Sequence, residues 1–397
     1  MKFNYLIIGA GIVGLAVATK LREQYPDAKI LIIEKEDDTA RHASGRNSGV
    51  LHAGFYYTTD SLKAKFTVAG NKAMREYCHK KNIPINTCGK LVVAKNESEL
   101  TQLYKLERRG QRNGSNIKII SDKEAEKIEP NVRTHQKALW SPDTASVNPT
   151  DVCQAIKKDL LNTGVEIRFK AQYLAKTNST VETTQGAWAA EKIINCAGLY
   201  ADKIAQDFGF GKKYTILPFK GLYLKYTKNK TDIRTNIYPV PDLRNPFLGV
   251  HFTKTVGGDI KIGPTATPAF WRENYGGLKN FNLLELIQIC GWEASLFLSD
   301  SFGFRNLAIE ETKKYNMKYF INLATHLVKN IDPKGFTAFT TPGIRAQLLN
   351  RTTKKLVQDF VVEGDAQSIH VLNAISPAFT CAFPFAEYVV KNFILPR

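Results

Sequence analysis

The stretch KFNYLIIGAGIVGLAVATKLREQYPDAKILIIE, residues 2–34, decides how the rest of the chain is read. Asn4–Ile8 is a short apolar run halted by Gly9, the pattern of a buried strand. Gly9-Ala10-Gly11-Ile12-Val13-Gly14 follows, and a helical pattern through Leu15, Ala18 and Leu21 ends near Tyr25-Pro26. Lys29–Ile33 reads as a second strand with Glu34 at its end. Each feature has a task in holding a dinucleotide. Gly9 allows the tight turn, Gly11 lets backbone approach a pyrophosphate, and Gly14 lets helix and strand pack closely. The helix N-terminus offers N–H groups and a positive dipole end to phosphate. Glu34 stands 34 − 14 = 20 residues beyond Gly14, close to the roughly 20 expected of the acid that binds the adenosine ribose. Two blander readings do worse. A plain glycine loop needs neither the second strand nor the acid, and a signal peptide, suggested by Lys2 before the apolar run, ends in a cleavage site. The run is also too short to span a bilayer.

The 397 residues suffice for two domains, and 43% of them are apolar, enough for a sizeable core. Cys78, Cys88, Cys153, Cys196, Cys290 and Cys381 are scattered, without a CxxC pair or a Cys/His cluster. That predicts no metal site and no disulfide framework, and fits a reducing compartment and a cytoplasmic protein. The net charge of +18 comes from short groups such as Arg108-Arg109, Lys212-Lys213, Lys313-Lys314 and Lys354-Lys355. Such a surface is solvated, attracts an anionic substrate, or brings the chain to the periphery of an anionic membrane. No nucleic-acid recognition motif accompanies it.

Thr39–Tyr57 (TARHASGRNSGVLHAGFYY) is too polar for a core element and too rich in Gly and Ser for a regular one. Ser61 reads as the N-cap of a helix whose inner face is Leu62, Phe66, Ala69, Ala73 and Tyr77. Gly89–Ala94 is strand-like, Ser98–Arg112 helical, and Asp122–Glu129 a short helix stopped by Pro130. Thr150 or Asp151 caps another helix that ends at Gly164, followed by a strand, Val165–Phe169. Glu191–Ile194 runs into Asn195-Cys196-Ala197-Gly198-Leu199, a strand–glycine–helix junction like the first in miniature. From Tyr214 to Gly263 short runs (Gly221–Tyr226, Asn236–Pro239, Gly249–Thr253, Ile260–Gly263) alternate with turns, which predicts an antiparallel or mixed sheet and a second domain. Phe281–Leu298 and Tyr315–Val328 read as helices. Strands return after Thr341, in Lys355–Val362 and Ser368–Asn373, before a last helix, Phe379–Phe393.

Several blocks carry a resemblance: Gly9–Gly14 with Glu34-Lys35, GRNSGVLHAGFYY at 45–57, SLKAK at 61–65, CGKLVVA at 88–94, NCAGL at 195–199, IYPVPDLRNPFLGVHF at 237–252, GIRAQ at 343–347 and NAISPAFT at 373–380. Together they resemble the FAD-dependent D-amino acid oxidase superfamily, and within it the L-2-hydroxyglutarate dehydrogenase/oxidase group. The likeness spans essentially the whole chain. One departure is Arg46, where that group often has a histidine before Asn47.

The resemblance implies an α/β plus α+β architecture, a GR2-type flavoprotein with a doubly wound FAD domain and a sheet-based substrate domain. The expected FAD domain is discontinuous, 1–85 with 145–212 and 340–397; the expected substrate domain is 86–144 with 213–339. Besides the glycine loop, Glu34 and Lys35, the implied FAD contacts are Ser44, Gly45, Arg46, Asn47, Ser48, Gly49 and Val50. Tyr173 would add a backbone contact to the adenine, and Cys196, Ala197 and Gly198 would flank the pyrophosphate. Gly343, Ile344 and Arg345, with Ser376, Pro377, Ala378, Phe379 and Thr380, would lie beside the isoalloxazine. The dipole of the last helix would stabilise negative charge on the reduced ring.

The implied reaction is oxidation of a small 2-hydroxy acid, above all L-2-hydroxyglutarate. It needs a base for the hydroxyl proton, a flavin for the hydride and cations for the carboxylate. His52 is the preferred base and His251 the second candidate, because imidazole titrates near working pH. Arg345 suits a carboxylate through its bidentate fork. Tyr56, Lys220 and Tyr238 are further pocket candidates, and Arg46, Arg272 and Lys220 offer a second cation. The electron acceptor is left open among quinone, oxygen and another protein. The alternatives are an amine or amino-acid oxidase or dehydrogenase on the same scaffold and, in a different class, a basic flavin- or membrane-binding protein without activity.

Overall fold

The computed structural model describes residues 2–241 and 247–394. The chain divides into two compact units, one built from 1–47, 149–218 and 345–397, the other from 48–148 and 219–344.

In the first unit, β1 (Lys2–Ile8) leads through the glycine loop into α1 (Ile12–Gln24) and back into β2 (Ile30–Ile33). The four residues of β2 are all buried, as befits a strand covered on both faces. β1 pairs in parallel with β2 and with Gly186–Asn195, β2 with Glu166–Arg168, and Gly186–Asn195 with Ser368–Asn373. The C-terminal strand therefore returns to the first sheet. The last helix, Ala378–Val389, packs on α1. An antiparallel hairpin, Tyr173–Thr177 with Thr180–Thr183, extends one edge. Its polar, half-exposed residues lack the apolar alternation by which a strand is read from sequence.

In the second unit, described strands run in the order Phe336–Phe339, Leu224–Tyr226, Ile260–Gly263, His251–Lys254, Asn236–Pro239, Lys90–Val93, Lys137–Ser141, Lys118–Ser121. One pairing, Lys90–Val93 with Asn236–Pro239, is parallel and the others are antiparallel. Strand alternation gives this sheet two different faces. Leu91, Val93, Ile237 and Phe252 turn to a core closed by Phe320, Ile321 and Ala324 of the helix Met317–Thr325. Val92 and Tyr238 turn the other way, toward Phe55, Tyr56 and the Leu100, Leu103 and Leu106 stripe of the helix Glu97–Arg112.

Several expectations are corrected. Residues 48–85 group with the sheet unit and not with the dinucleotide unit, because Val50–Leu51 and Ile85–Asn86 both pair with Ala145–Val147. The expected boundaries at 212 and 340 move to 218/219 and 344/345, inside the strands Tyr214–Gly221 and Gly343–Asn350. The helix expected from Thr150 or Asp151 starts at Pro149, a residue whose fixed φ suits a first turn. The helix expected at Ser98–Arg112 starts one residue earlier, at Glu97, and is capped by Asn96, which accepts from Glu99 N. A helix at Phe304–Lys313 was not foreseen. Ser61 caps Leu62–Lys80 as expected, its side chain accepting from Ala64 N. Part of the 237–252 block, residues 242–246, lies outside the described residues.

Among the described residues no helix is long and apolar enough to cross a membrane. The helix Leu283–Ser299 is nonetheless unusual. It buries Glu285, Ile289 and Leu296 while Leu284, Ile287 and Leu298 stand 79%, 62% and 78% exposed.

Candidate active site

The glycine loop is a cradle with three distinct constraints. Gly9 has φ +104°, and a Cβ there would lie 2.7 Å from the Cys196 carbonyl oxygen. A Cβ on Gly14 would lie 2.0 Å from the Gly9 carbonyl oxygen. At Gly11 only the end of a side chain, Ser44 Oγ at 3.0 Å, stands near. Gly9 and Gly14 are thus required by the fold itself. Gly11 keeps open a space that almost nothing in the chain fills, as a loop that receives a pyrophosphate must. Ser44 Oγ accepts from Ile12 N at 2.9 Å, on the first turn of α1. Glu34 holds the loop from the other side, one oxygen accepting from Ala10 N at 2.8 Å and the other from Glu36 N at 3.0 Å. The acid expected to meet a ribose is thereby fixed beside the loop with lone pairs to spare.

The second junction lies against the first because Ile8 pairs with Asn195. Asn195 is buried; its Oδ1 accepts from Ala197 N at 3.1 Å and its Nδ2 donates to Ala201 O at 2.8 Å, shaping Cys196-Ala197-Gly198. Lys35 pairs with Glu36 and lies over the Tyr200 ring. Arg46 donates to Arg41 O at 2.7 Å, and Asn47 to Ser44 O at 2.8 Å. Gly45 sits where a Cβ would meet Ala40 O at 2.1 Å. Tyr173 opens the edge hairpin and donates its hydroxyl to Asp207. Arg345 is half-buried on the strand Gly343–Asn350, whose first residues, Gly343 and Ile344, fall in the other unit. Ser376 is exposed, Pro377 caps the last helix, Ala378 and Thr380 are buried and Phe379 half-buried within its first turn. These are the residues of the first unit that fit FAD: a glycine cradle, a helix N-terminus and a fixed carboxylate. Ser48, Gly49 and Val50 belong to the second unit, where Gly49 O accepts from Val147 N.

The second unit gathers His52, Tyr56, Tyr238 and His251 together with Lys90, a residue absent from the sequence-based candidates. His52 follows the short strand Val50–Leu51, and its loop is held by side chains reaching its carbonyls. Asn71 donates to Leu51 O and His52 O, each at 3.2 Å, and to Asp143 O at 3.1 Å. Ser115 donates to Ala53 O at 2.6 Å, Asn113 to Gly54 O and Tyr57 O, each at 2.9 Å, and Arg109 to Tyr56 O at 3.0 Å. An irregular segment thus has its backbone satisfied from outside, which lets it stay buried without being helix or strand.

His251 Nδ1 lies 2.8 Å from Gly249 O. A carbonyl only accepts, so Nδ1 carries the proton and Nε2 is the basic nitrogen. The imidazole stacks on Tyr238, centroids 3.6 Å apart and planes 16° from parallel. Burial, then Lys90, then His251 hold the His52 pKa well below its ordinary value, so the ring is a neutral base. Lys90 is fully buried on the same face of the sheet as Tyr238, its Nζ 4.2 Å from the Tyr238 ring centroid, 5.2 Å from Tyr56 and 5.5 Å from Phe55. Neither Lys90 Nζ nor Tyr56 Oη has a hydrogen-bond partner among the described residues. Burial lowers the lysine from 10.5 to about 7 and raises both tyrosines. The sequence signal for Lys90 was a charge inside the apolar run of CGKLVVA. For Asn71, Asn113 and Ser115 there was none.

Lys220 donates to Asn274 Oδ1 at 2.9 Å. Arg272, offered as a second cation, is buried against Glu285, which lies 3.6 Å from its Nε and also accepts from its backbone N–H at 2.9 Å.

A cradle for a dinucleotide in one unit, and in the other a sheet face lined by buried imidazoles and phenols, define a two-unit oxidoreductase. The chain belongs to the family described as FAD dependent oxidoreductase, whose model matches residues 4–391. Relatives named L-2-hydroxyglutarate dehydrogenase include that of Escherichia coli (strain K12), 34% identical over 98% of this chain and 93% of its own. That of Indibacter alkaliphilus is 35% identical over 99% and 100%, and the mitochondrial enzyme of Mus musculus 35% over 97% and 87%. The fold is shared with the FAD-bound, dithionite-reduced L-alpha-glycerophosphate oxidase of Mycoplasma pneumoniae, with a TM-score of 0.76 at 22% identity over 98% of this chain and 94% of that one. Glycine oxidase of Geobacillus kaustophilus gives 0.72 at 17% over 98% and 94%. The expected fold class and FAD dependence are borne out.

Proposed function

We propose that this flavoenzyme oxidises L-2-hydroxyglutarate to 2-oxoglutarate. The observation that carries the reading is the likeness, at 34–35% identity and nearly full length, to dehydrogenases of that name from bacteria and animals. The buried, neutral imidazole of His52 supports it, since a 2-hydroxy acid must lose its hydroxyl proton to a base.

In this reading the first unit binds FAD and the second binds substrate. Bound FAD supplies the two-electron acceptor. Gly9–Gly14, with Ser44, Glu34 and the 196–198 turn, hold it; Lys35, residues 45–47, Tyr173, Arg345 and residues 376–380 of the same unit complete its surroundings. His52 takes the hydroxyl proton, and His251, whose basic Nε2 is set by the Nδ1–H contact to Gly249 and by stacking on Tyr238, is the second candidate for that base. Arg345 in the first unit is the cation offered to a carboxylate; in the second unit Tyr56, Tyr238 and Lys220 are the further substrate-binding candidates. Electrons leave to an acceptor, quinone, oxygen or protein. The +18 charge and the apolar exposed face of Leu283–Ser299, flanked by exposed Lys279 and Arg305, dock the enzyme on an anionic bilayer.

Anaerobic mixing of the yellow holoprotein with a panel of 2-hydroxy acids and amino acids tests the substrate. Bleaching fastest with L-2-hydroxyglutarate is expected; bleaching only with an amine or amino acid overturns the reading. Sedimentation with acidic vesicles at low salt tests docking. Loss of sedimentation in Leu284→Glu is expected. Self-association of the free protein through that face, without vesicle binding, would assign it to a second copy of the chain.

A further inference from the structure

We propose that Lys90 is a positioning residue for the proton chemistry: it takes the first proton of the buried cluster and thereby keeps His52 and His251 unprotonated. The inference rests on the imidazoles acting as proposed above.

Three observations meet at this residue. Its Nζ is buried among Phe55, Tyr56 and Tyr238, with no hydrogen-bond partner among the described residues. Aromatic faces attract an ammonium, so the site tolerates its charge without neutralising it. Its ring neighbour Tyr238 is also the ring on which His251 stacks, which puts the ammonium and that imidazole on one aromatic side chain. And Lys90 influences His52 directly, disfavouring its protonated form.

The groups that face the ammonium are few. Cys88 precedes its own strand, Tyr56 and His52 come from the neighbouring loop, Tyr238 and His251 from the next two strands. Across the other edge its paired residue is Ser141, whose hydroxyl is engaged with Thr144. Burial displaces its titration strongly downward, against a smaller upward pull from Cys88. Three basic groups therefore share one low-dielectric space, and their protonation is coupled. As pH falls below about 7 the lysine charges before His52 does. Its charge then raises the cost of protonating either imidazole. The base stays available at pH values where a free histidine would already be half protonated.

The test is direct titration of the holoprotein by NMR, with carbon-13 labels at lysine Cε and at histidine, resonances being assigned from His52→Gln and His251→Gln. In wild type, the lysine resonance that is lost in Lys90→Met should titrate near 7, and the His52 imidazole should stay neutral to well below 6.5. In Lys90→Met, one imidazole should take its proton about one pH unit or more higher. Flavin reduction by that variant should weaken below pH 7 and recover toward pH 9. A merely structural lysine would lower the rate equally at every pH. No lysine titrating below 9, or imidazole curves unmoved in folded Lys90→Met, overturns the proposal. If Lys90→Met does not fold, the wild-type lysine titration still decides. If no 2-hydroxy acid reduces the flavin, the substrate assignment fails while the titration result stands.

Discussion

Replacing Gly14 by alanine should damage the protein more than the same change at Gly11, although the glycine pattern ranks them equally. At Gly14 the new Cβ falls 2.0 Å from the Gly9 carbonyl oxygen, a backbone atom held by the turn itself. A carbon–oxygen contact settles at roughly 3.3 Å, so α1 and the turn must separate by about 1.3 Å. Overpacking of this kind costs typically ~1–3 kcal/mol, and a rigid backbone neighbour puts Gly14→Ala at the upper end, about 3 kcal/mol. The first unit spans 170 residues. At that size each kcal/mol is worth roughly 2–4 °C, so the apoprotein should melt roughly 6–12 °C lower. If the turn opens instead to relieve the clash, the strain reappears as weaker FAD binding, up to about 100-fold at ~1.4 kcal/mol per decade. At Gly11 the obstacle is a hydroxyl on a rotatable side chain, so the apoprotein should lose under about 1 kcal/mol while FAD, which needs that space, binds poorly. The assays are thermal unfolding of apoprotein and FAD titration by quenching of flavin fluorescence. A Gly14→Ala protein with wild-type Tm and wild-type FAD affinity would refute the packing argument. Gly291→Ala is the control: nothing lies within 4 Å of its Cβ position on a helix, and it should stabilise by roughly 0.5–1 kcal/mol.

His52→Ala should retain FAD and slow flavin reduction by about 10² to 10⁴, acting on kcat more than KM; stopped-flow traces beside those of His251→Ala decide which imidazole is the base. Asn71→Ala withdraws the donor from two carbonyls of the His52 loop and from Asp143 O, and should cost roughly 2–3 kcal/mol, read as a lower Tm together with slower flavin reduction although His52 is intact. Glu293 has a buried Oε1 without a hydrogen-bond partner among the described residues, and burial raises its pKa from 4.5 to about 8. The folded carboxyl therefore holds its proton more tightly than the unfolded one, and its stabilising contribution, full below 4.5, is lost as pH rises toward 8. Glu293→Gln should thus gain Tm over wild type at pH 8 and not at pH 4.5; an equal difference at both values would show that this carboxyl does not titrate in the window.

The first 34 residues were legible because one motif there carries its whole structural context: strand, turn, helix, strand and acid in contiguous sequence. The return of Ser368–Asn373 to that sheet is legible for a different reason: the second domain's pattern offers it no partner, and it pairs instead with Gly186–Asn195 and with its neighbour Val361–Gly364. What escaped was structure built on polar residues. The hairpin Tyr173–Thr183 has no apolar alternation, and the grouping of 48–85 with the sheet unit depends on two short pairings to Ala145–Val147. The NSGVLHAG loop was recognised as special, yet nothing in its own residues announces that Asn71, Arg109, Asn113 and Ser115 will hold it.

The same asymmetry explains why Lys90 was passed over. Strand periodicity assigns side chains to faces but does not tell which face is core and which is site when both are apolar. In the Lys90–Val93 strand both faces are buried, so a lysine there reads as an edge residue or an error in the pattern. Only pairing resolves it: Asn236 opposite Lys90 and Tyr238 opposite Val92 place the ammonium on the face where the phenols and His251 lie. A buried charge costs several kcal/mol when it lacks an opposite charge, and among the described residues this one has three rings and no hydrogen-bond partner. A fold that retains such a residue in the middle of its sheet is spending stability on chemistry at that face. The strand that looked most like plain core in the sequence is therefore the one whose substitution should change the pH dependence of the reaction.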